Sequence, residues 1–328
     1  MTPLHRGSRM GLLAAAVIVL AACGAQGSPA PSVAAVSPDE GWARLAPAPL
    51  ALTEVAATAH DGRIWVAGGL TAEGRAVDAV MVFDPATRTW TDGPHLPEPV
   101  HHSALVEAEG GVLWLIGGYV GNGFDRPTDA VWELFPEARE WQPSQPLPEA
   151  RAAGAAAYDG GPEIVYAGGV GPGGVSDAIL VRDPDDGWVR RGHLEGPREH
   201  LAATSDGAGT VFVLGGRRGG LDGNLATVEV VRAGEVRRLG QLPTPRGGVA
   251  AFWWPPLGAC LAGGESPGGT NPQVECITAD GLLTRLPDLN APRHGLGAAV
   301  VEGGVYVLLG GPEPGLFVSD TVEAFELP

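Results

Sequence analysis

VLWLIGG, residues 112–118, is one of six stretches in which a short apolar run ends in two glycines. The other five are RIWVAGG (63–69), EIVYAGG (163–169), VFVLGG (211–216), GACLAGG (258–264) and VYVLLGG (305–311). The first glycine of each pair recurs every 47 to 51 residues. Self-similarity at such a period is typical of solenoids and propellers, so we predict one repeated β-architecture rather than two unrelated domains.

A second apolar segment follows each glycine pair after a loop of variable length. Examples are DAVMVFD (78–84), DAILVRD (177–183) and DTVEAFE (320–326). Turns that contain proline then lead to a strand of small residues, such as GLGAAV (295–300). Each repeat therefore holds four short strands. One such unit cannot bury both of its faces, so the repeats must stack around a common axis.

These repeats resemble Kelch repeats in three features: the paired glycines, a later tryptophan and a Pro-Arg start to the inner strand. The tryptophan is present as Trp90, Trp141 and Trp188 in the first three repeats. The resemblance covers residues 41–328 and implies an all-β, six-bladed Kelch-type propeller with four antiparallel strands per blade. The sixth repeat lacks a fourth strand, and residues 41–45 (GWARL) have the pattern of one. We predict that this N-terminal strand closes the last blade, which removes exposed strand edges.

The first 40 residues have the pattern of an export signal. An apolar run from Gly11 to Ala22 is too short to span a bilayer but suits a signal-peptide core. Its end, Leu20-Ala21-Ala22-Cys23, resembles the lipobox of bacterial lipoproteins, in which the cysteine is acylated. We expect residues 1–22 to be a signal peptide that is removed, and residues 23–40 to be lipidated Cys23 with a flexible tether. The propeller would then be extracytoplasmic, anchored to the bacterial membrane by lipid and facing the periplasm or the outer surface.

The charge balance excludes some partners. The chain has 38 acidic and 21 basic residues, for a net charge of −17. Nucleic-acid binding needs a basic face, so we predict no nucleic-acid partner. We expect a monomer.

Two cysteines besides Cys23 fall in the fifth repeat. Cys260 lies in the second strand and Cys276 in the third, so the two residues can face each other across one hairpin. An oxidising compartment permits a disulfide between them. Two small buried thiols are the alternative.

Candidate ligand-binding residues lie at the start of the inner strands. Four arginines on consecutive repeats can crown one end of the channel and bind a carboxylate or a sulfate. The alternative is a structural role, because the Arg of the Kelch pattern often forms hydrogen bonds and ion pairs. Four histidines stand beside the same positions, in three different repeats and without short ligand spacing, so we predict no metal and no cofactor. The candidates are Arg151, Arg198, Arg246, Arg293, His101, His102, His200 and His294.

The sequence favours a non-enzymatic platform that holds a protein, a peptide or an anionic glycan on its loops. The alternative is a carbohydrate-active enzyme similar to the sialic-acid mutarotases, in which the arginines hold a sugar carboxylate and Glu199, His200 or His294 moves a proton. Copper chemistry of the galactose-oxidase kind is disfavoured, because the four tyrosines and the cysteines do not supply its ligand set. Fold alone does not decide between the platform and the enzyme.

Overall fold

The computed structural model describes residues 34–35 and 41–326. Six four-stranded antiparallel sheets follow one another along the chain and form the six blades of a propeller. Blades one to three comprise Ala56–His60, Arg63–Ala67, Val80–Asp84 and Thr89–Asp92; Ala104–Ala108, Val112–Ile116, Val131–Leu134 and Gln142–Pro143; and Ala155–Tyr158, Ile164–Ala167, Ala178–Asp183 and Gly187–His193. Blades four to six comprise Ala202–Ser205, Val211–Leu214, Thr227–Arg232 and Glu235–Gln241; Ala250–Trp254, Gly258–Ala262, Val274–Ile277 and Leu283–Leu286; and Gly297–Val301, Gly304–Leu308, Val322–Glu326 and Ala43–Arg44.

Shorter elements decorate the loops. Ala34–Ala35 pairs in parallel with Leu283–Leu286, at the outer edge of blade five. Three two-residue ladders lie beside the glycine pairs: Val100–His101 with Tyr119–Val120, Val170–Gly171 with Gly174–Val175, and Glu265–Ser266 with Gly269–Thr270. Single 3-10 turns occupy Glu109–Gly111 and Leu221–Gly223.

The N-terminal strand closes the ring, as the sequence predicts. Ala43–Arg44 pairs antiparallel with Val322–Glu326 and supplies the fourth strand of blade six. Trp42 is buried at this seam, with its ring 5.4 Å from that of Phe325. Its indole Nε1 donates to the carbonyl of Pro287 in blade five, 2.9 Å away. The equivalent Trp141 donates to the carbonyl of Pro94 in blade one, so the same contact ties neighbouring blades at two places.

The paired glycines are required by the close approach of neighbouring blades. A Cβ on Gly117 would overlap the carbonyl oxygen of Arg151, at the start of the next blade's inner strand. The N–H of Gly118 donates to that same oxygen at 2.8 Å. Both glycines have positive φ, 60° and 109°, which is further reason for glycine here. The repeat signal in the sequence therefore marks where one blade meets the next.

The core lies between blades, in layers of buried strand residues. In blade five, Cys260 and Cys276 are directly opposed, and a disulfide joins them with an S–S distance of 2.04 Å. Both cysteines are fully buried. Trp254 packs beside Phe325, between blades five and six.

Antiparallel connectivity places two sets of loops at the same end of the channel. The loops from strand four to strand one and those from strand two to strand three meet there, since isolated bridges such as Glu199 to Arg217 join them. We call this end the loop face. Cys23 and the residues of the predicted signal peptide lie outside the described residues. Within the described part of the chain, no helix is long and apolar enough to cross a membrane.

Candidate functional site

The loop-face end of the channel is narrowed by a closed ring of backbone hydrogen bonds. One residue from each blade takes part. From blade two to blade six, the N–H of this residue donates to the carbonyl of the equivalent residue in the preceding blade, over 2.8 to 3.1 Å. The N–H of Val55, bonded to the carbonyl of Gly295 at 3.3 Å, completes the circle. We call these six residues the mouth ring: Glu54, His102, Ala153, His200, Gly248 and Gly295.

All six residues of the mouth ring have left-handed backbone conformation, with φ between 52° and 67°. Glycine adopts this conformation freely, and two of the six positions hold glycine. Glu54, His102 and His200 adopt it at an energetic cost, of order 1 kcal/mol or more for a non-glycine residue. Non-glycine residues in this conformation cluster at functional sites, so the ring is where we look for one.

The polar side chains of the ring converge on one point. His102 Nε2 lies 3.0 Å from His200 Nε2 and 3.1 Å from a carboxylate oxygen of Glu54. The three ligand atoms all lie within 4.8 Å of one another, a grouping that can hold a metal ion. The ring lines a cavity of about 90 Å³, which is room for a few waters or one ion rather than for a sugar.

Burial and charge set the protonation of this group. Burial lowers the pKa of His102 well below its usual value, against the pull of Glu54. Burial alone would raise the pKa of Glu54, but His102, His294 and His200 lower it well below its usual range. Glu54 is therefore an ionised carboxylate at neutral pH, and His102 is a neutral imidazole.

Aromatic residues of blade two cover His102. Its Nδ1 lies 2.6 Å from Nδ1 of His101, whose Nε2 lies 3.1 Å from the carbonyl oxygen of Gly123. The ring of Phe124 packs edge-on against both imidazoles, at 5.1 and 5.4 Å. The ring of Tyr119 packs against the same two imidazoles. His102 is thus held between the polar channel mouth and an aromatic cap.

His200 is held by a chain of charged groups in blades four and five. Its Nδ1 bonds to the carboxylate of Glu199. The other Glu199 oxygen accepts from Arg217 Nε at 2.8 Å, and Arg217 also donates to Glu265 at 2.5 Å. The hydrogen bonds and charges of His200 and Arg217 lower the pKa of Glu199 although burial opposes the change.

His294 approaches the site from blade six. Its Nδ1 lies 3.3 Å from the second carboxylate oxygen of Glu54, and its Nε2 bonds to the carbonyl of Glu313 at 3.0 Å. Burial favours the neutral ring, but the hydrogen bond and the charge of Glu54 raise the pKa of His294 overall. The four candidate histidines therefore lie together around the mouth ring, although they come from three blades.

The four candidate arginines lie elsewhere. Arg198, Arg246 and Arg293 are fully buried, and each pairs with a glutamate in the third strand of its own blade. Arg246 donates from every nitrogen, to Glu275 at 2.6 Å and to backbone carbonyls. Arg151 pairs with Glu149 and with the hydroxyl of Ser176. No crown of free guanidinium groups forms among these described residues, because scaffold groups already accept from them. The three fully buried arginines form the pairs Arg198 with Glu229, Arg246 with Glu275 and Arg293 with Glu323.

Sequence reasoning missed Glu54 and the arrangement of the charges around it. Glu54 has no motif of its own, and its partner His200 lies on a blade three positions along the ring. A usable signal does exist. Aligning the six segments before the inner strands places the mouth ring in one column, two residues after the Arg of Pro-Arg in blades four to six.

Comparison with known proteins agrees with this architecture. The Kelch motif matches residues 51–97. The chain is 24% identical over 309 residues to Kelch-like protein terF of Aspergillus terreus, covering 84% of this chain and 64% of that protein. It is 27% identical over 226 residues to beta-scruin of Limulus polyphemus, covering 65% of this chain and 24% of beta-scruin. The chain thus spans less than two thirds of the length of either relative.

A third relative, Kelch-like protein 35 of Mus musculus, is 31% identical over 161 residues, which cover 48% of this chain and 26% of that protein. The motif, the relatives and the six four-stranded blades together support the Kelch family. The protein is a six-bladed β-propeller that carries a Kelch motif.

Proposed function

We propose that this protein is a lipid-anchored, extracytoplasmic recognition platform that holds a protein or peptide partner on its loop face. The anchor is Cys23 in the lipobox-like sequence, and the tether runs from there to Ala34–Ala35, which pairs with blade five. The proposal for the loop face is carried by one observation, a set of exposed apolar side chains on blades two and six, the two neighbours of blade one. These are Phe124, Leu316 and Phe317, which are 51%, 47% and 48% exposed and which we call the apolar arc.

A loop of blade one lies between the two loops that carry the apolar arc and contacts both. The N–H of Ala76, in a loop of blade one, donates to the side chain of Asn122 in blade two at 3.0 Å. On the other side, a Cβ on Gly74 of the same loop would lie 3.5 Å from Leu316 of blade six. The apolar side chains of blades six and two therefore lie on either side of this loop, on one stretch of the rim. Large exposed apolar residues beside a polar site are typical of interaction surfaces.

The relatives are consistent with this proposal at the level of the fold. Kelch-like proteins from several organisms share the repeat, and none of the matched names specifies a reaction. The mutarotase-like alternative needs an arginine for the sugar carboxylate. Arg198, Arg246 and Arg293 are paired with Glu229, Glu275 and Glu323, so no observation favours that alternative.

Site-specific photo-crosslinking in producing cells tests the platform. A photoreactive phenylalanine analogue replaces Phe124 or Phe317, and the matched control replaces Phe135, which is 48% exposed. Phe135 follows the third strand of blade two and so lies at the end of the propeller opposite the loop face. We expect a defined adduct from positions 124 and 317 and none from 135. Absence of adducts at 124 and 317, or the same adduct at 135, would overturn the proposal.

The anchor is tested separately. A clickable fatty-acid analogue should label the wild-type protein and not a Cys23→Ala variant, which should leave the membrane fraction. Labelling that persists in Cys23→Ala would refute the anchor and leave the crosslinking result to be judged alone.

A further inference from the structure

We propose that Glu54, His102 and His200 form a binding site for one divalent transition-metal ion, for which Zn²⁺ is the best match to the donors. The site lies in the mouth ring, beneath Phe124. It does not depend on the identity of any partner of the loop face.

The spacing of the donor atoms suits direct ligation. The two imidazole Nε2 atoms are 3.0 Å apart, and the Glu54 oxygen is 3.1 Å from that of His102. Ligands about 2.0–2.1 Å from a tetrahedral Zn²⁺ are separated by roughly 3.3 Å. Two of the three separations are thus close to this value, and the third, between the Glu54 oxygen and His200 Nε2, is within 4.8 Å.

The hydrogen bonds of His101 fix the ring nitrogens of His102. His101 Nε2 faces the carbonyl oxygen of Gly123, which only accepts, so this nitrogen carries the hydrogen. In the neutral ring, His101 Nδ1 then has a lone pair and accepts from His102 Nδ1. It follows that His102 Nε2 has a lone pair that points at the convergence point.

The carboxylate of Glu199 fixes His200 in the same way. Glu199 accepts from His200 Nδ1, so in the imidazole form the lone pair of His200 is on Nε2. Two imidazole nitrogens and an oxygen of Glu54 then converge on one point. A metal ion there would accept from all three, in place of the hydrogen that the 3.0 Å contact between the two Nε2 atoms otherwise requires.

The groups behind the ligands have the form that metal sites use. A metal-bound histidine almost always donates its other N–H to a carboxylate, a carbonyl or water, which orients the ring. His200 does so to Glu199, which Arg217 holds in turn. Three carboxylates, Glu54, Glu199 and Glu265, face the guanidinium of Arg217 and the imidazole of His294 around this point. Negative groups outnumber positive ones even with His294 protonated, and this favours a divalent cation.

The backbone supports the same conclusion. The three proposed ligands occupy ring positions with φ of 55°, 56° and 53°, whereas Gly248 and Gly295 fill two equivalent positions. Ala153 fills the remaining position with φ of 52°, so three of the four non-glycine residues of the ring carry a proposed ligand atom. Two imidazoles and one carboxylate are a donor set that Zn²⁺ takes, and a fourth position remains open towards the cavity for water or a ligand.

Metal titration of the full-length protein tests the site. The protein is purified in detergent without a polyhistidine tag, stripped with a chelator and titrated with ZnCl₂ by calorimetry. Co²⁺ serves as a spectroscopic substitute. We expect one equivalent of Zn²⁺ to bind, and Co²⁺ to give the intense visible bands of tetrahedral coordination. Glu199→Gln removes the carboxylate that orients His200 and should weaken Zn²⁺ binding about 10- to 100-fold. Loss of a proposed metal ligand, in Glu54→Gln, His102→Ala or His200→Ala, should weaken it at least as much.

A surface histidine provides the matched control. His193 lies 3.1 Å from Asp177 with a half-exposed side chain, so it is also a histidine beside a carboxylate. His193→Ala should bind Zn²⁺ as the wild type does. Circular dichroism in chelator checks that each variant folds, and nearly isosteric Glu54→Gln keeps the test valid if an alanine variant does not. The proposal would be overturned if the wild type bound Zn²⁺ no more tightly than folded Glu54→Gln. A visible spectrum of Co²⁺ typical of octahedral coordination would also overturn it.

Discussion

Two groups of buried charge lie only two residues apart in blade four and behave differently. Arg198 pairs with Glu229 inside its own blade, and the equivalent arginines of blades five and six do the same with their own glutamates. His200, by contrast, lies 3.0 Å from His102 and within 4.8 Å of Glu54, and both of these residues belong to other blades. The first group is local and repeats from blade to blade, whereas the second occurs once and needs the closed ring.

The arginine–glutamate pairs and the mouth ring differ in how their hydrogen-bond donors and acceptors are matched. Arg246 donates to the carboxylate of Glu275 and to four backbone carbonyls, which leaves no donor for a ligand. At the mouth ring the acceptors outnumber the donors. Buried charge that is matched within one blade therefore indicates scaffold, and buried acceptors that converge without donors indicate a binding site.

The largest effect should come from breaking a matched pair. Glu275→Ala leaves the guanidinium of Arg246 buried without its counter-charge, and we expect a loss of about 3–5 kcal/mol in the free energy of unfolding. Denaturant titration followed by circular dichroism measures it. A double variant, Arg246→Met with Glu275→Leu, should recover part of the loss, because apolar groups replace the buried charges but leave the carbonyls bonded to Arg246 and the side chain of Thr244 without these partners.

The control for this prediction is an exposed pair. Arg238 lies 3.2 Å from Glu195 with both side chains nearly half exposed. Arg238→Ala should change stability far less, since solvent screens such pairs. If Glu275→Ala cost no more than Arg238→Ala, the buried pairs would not be scaffold, and the arginines would again be candidates for ligand binding.

Replacing the glycines of the mouth ring with alanine should lower the free energy of unfolding by a smaller amount. The size of the loss should depend on the space around the added Cβ. A Cβ on Gly295 would lie 2.5 Å from the hydroxyl of Thr53 and 2.7 Å from the backbone nitrogen of Glu54, with φ at 59°. Gly295→Ala combines this overlap with left-handed strain, so we expect a loss of about 2–3 kcal/mol.

Gly248 is the matched control for Gly295. It has φ of 67°, and its nearest neighbour to an added Cβ is 3.2 Å away. Gly248→Ala should lose only about 1 kcal/mol by the strain alone. Equal losses in chemical denaturation would show that contact with Glu54 does not constrain this part of the ring.

The sequence was sufficient for the fold because the fold depends on local, repeated signals. Each glycine pair marks a place where neighbouring blades touch, and the Gly41–Leu45 pattern indicates the closing strand, which the structure confirms. The structural role of the arginines also had a signal. A glutamate occupies the third-strand segments ATVEVVR, PQVECIT and DTVEAFE of blades four to six, where Pro-Arg also occurs.

The site was less accessible to sequence reasoning, because its residues are brought together only by closure of the ring. His102 and His200 are 98 residues apart, so no ligand spacing along the chain reveals them. Glu54 lies in a segment without Pro-Arg, and its equivalence to His200 emerges only when the six segments are aligned. The direction of each side chain depends on the left-handed backbone of the ring, which no composition or period encodes.

The smallest expected effect is the sharpest test of the comparison. His200→Gly removes a side chain from a left-handed position, so relief of strain offsets the loss of the contacts with His102 and Glu199. In chelator, we expect the free energy of unfolding of this variant to stay within about 1 kcal/mol of the wild-type value, although the variant lacks one of the three side chains proposed to bind the metal ion. Ala153→Gly, at an equivalent ring position with φ of 52°, shows the backbone contribution alone. A loss in His200→Gly as large as that of Glu275→Ala would mean that the mouth ring is scaffold too, and that matched and unmatched charges do not separate the two roles in this propeller.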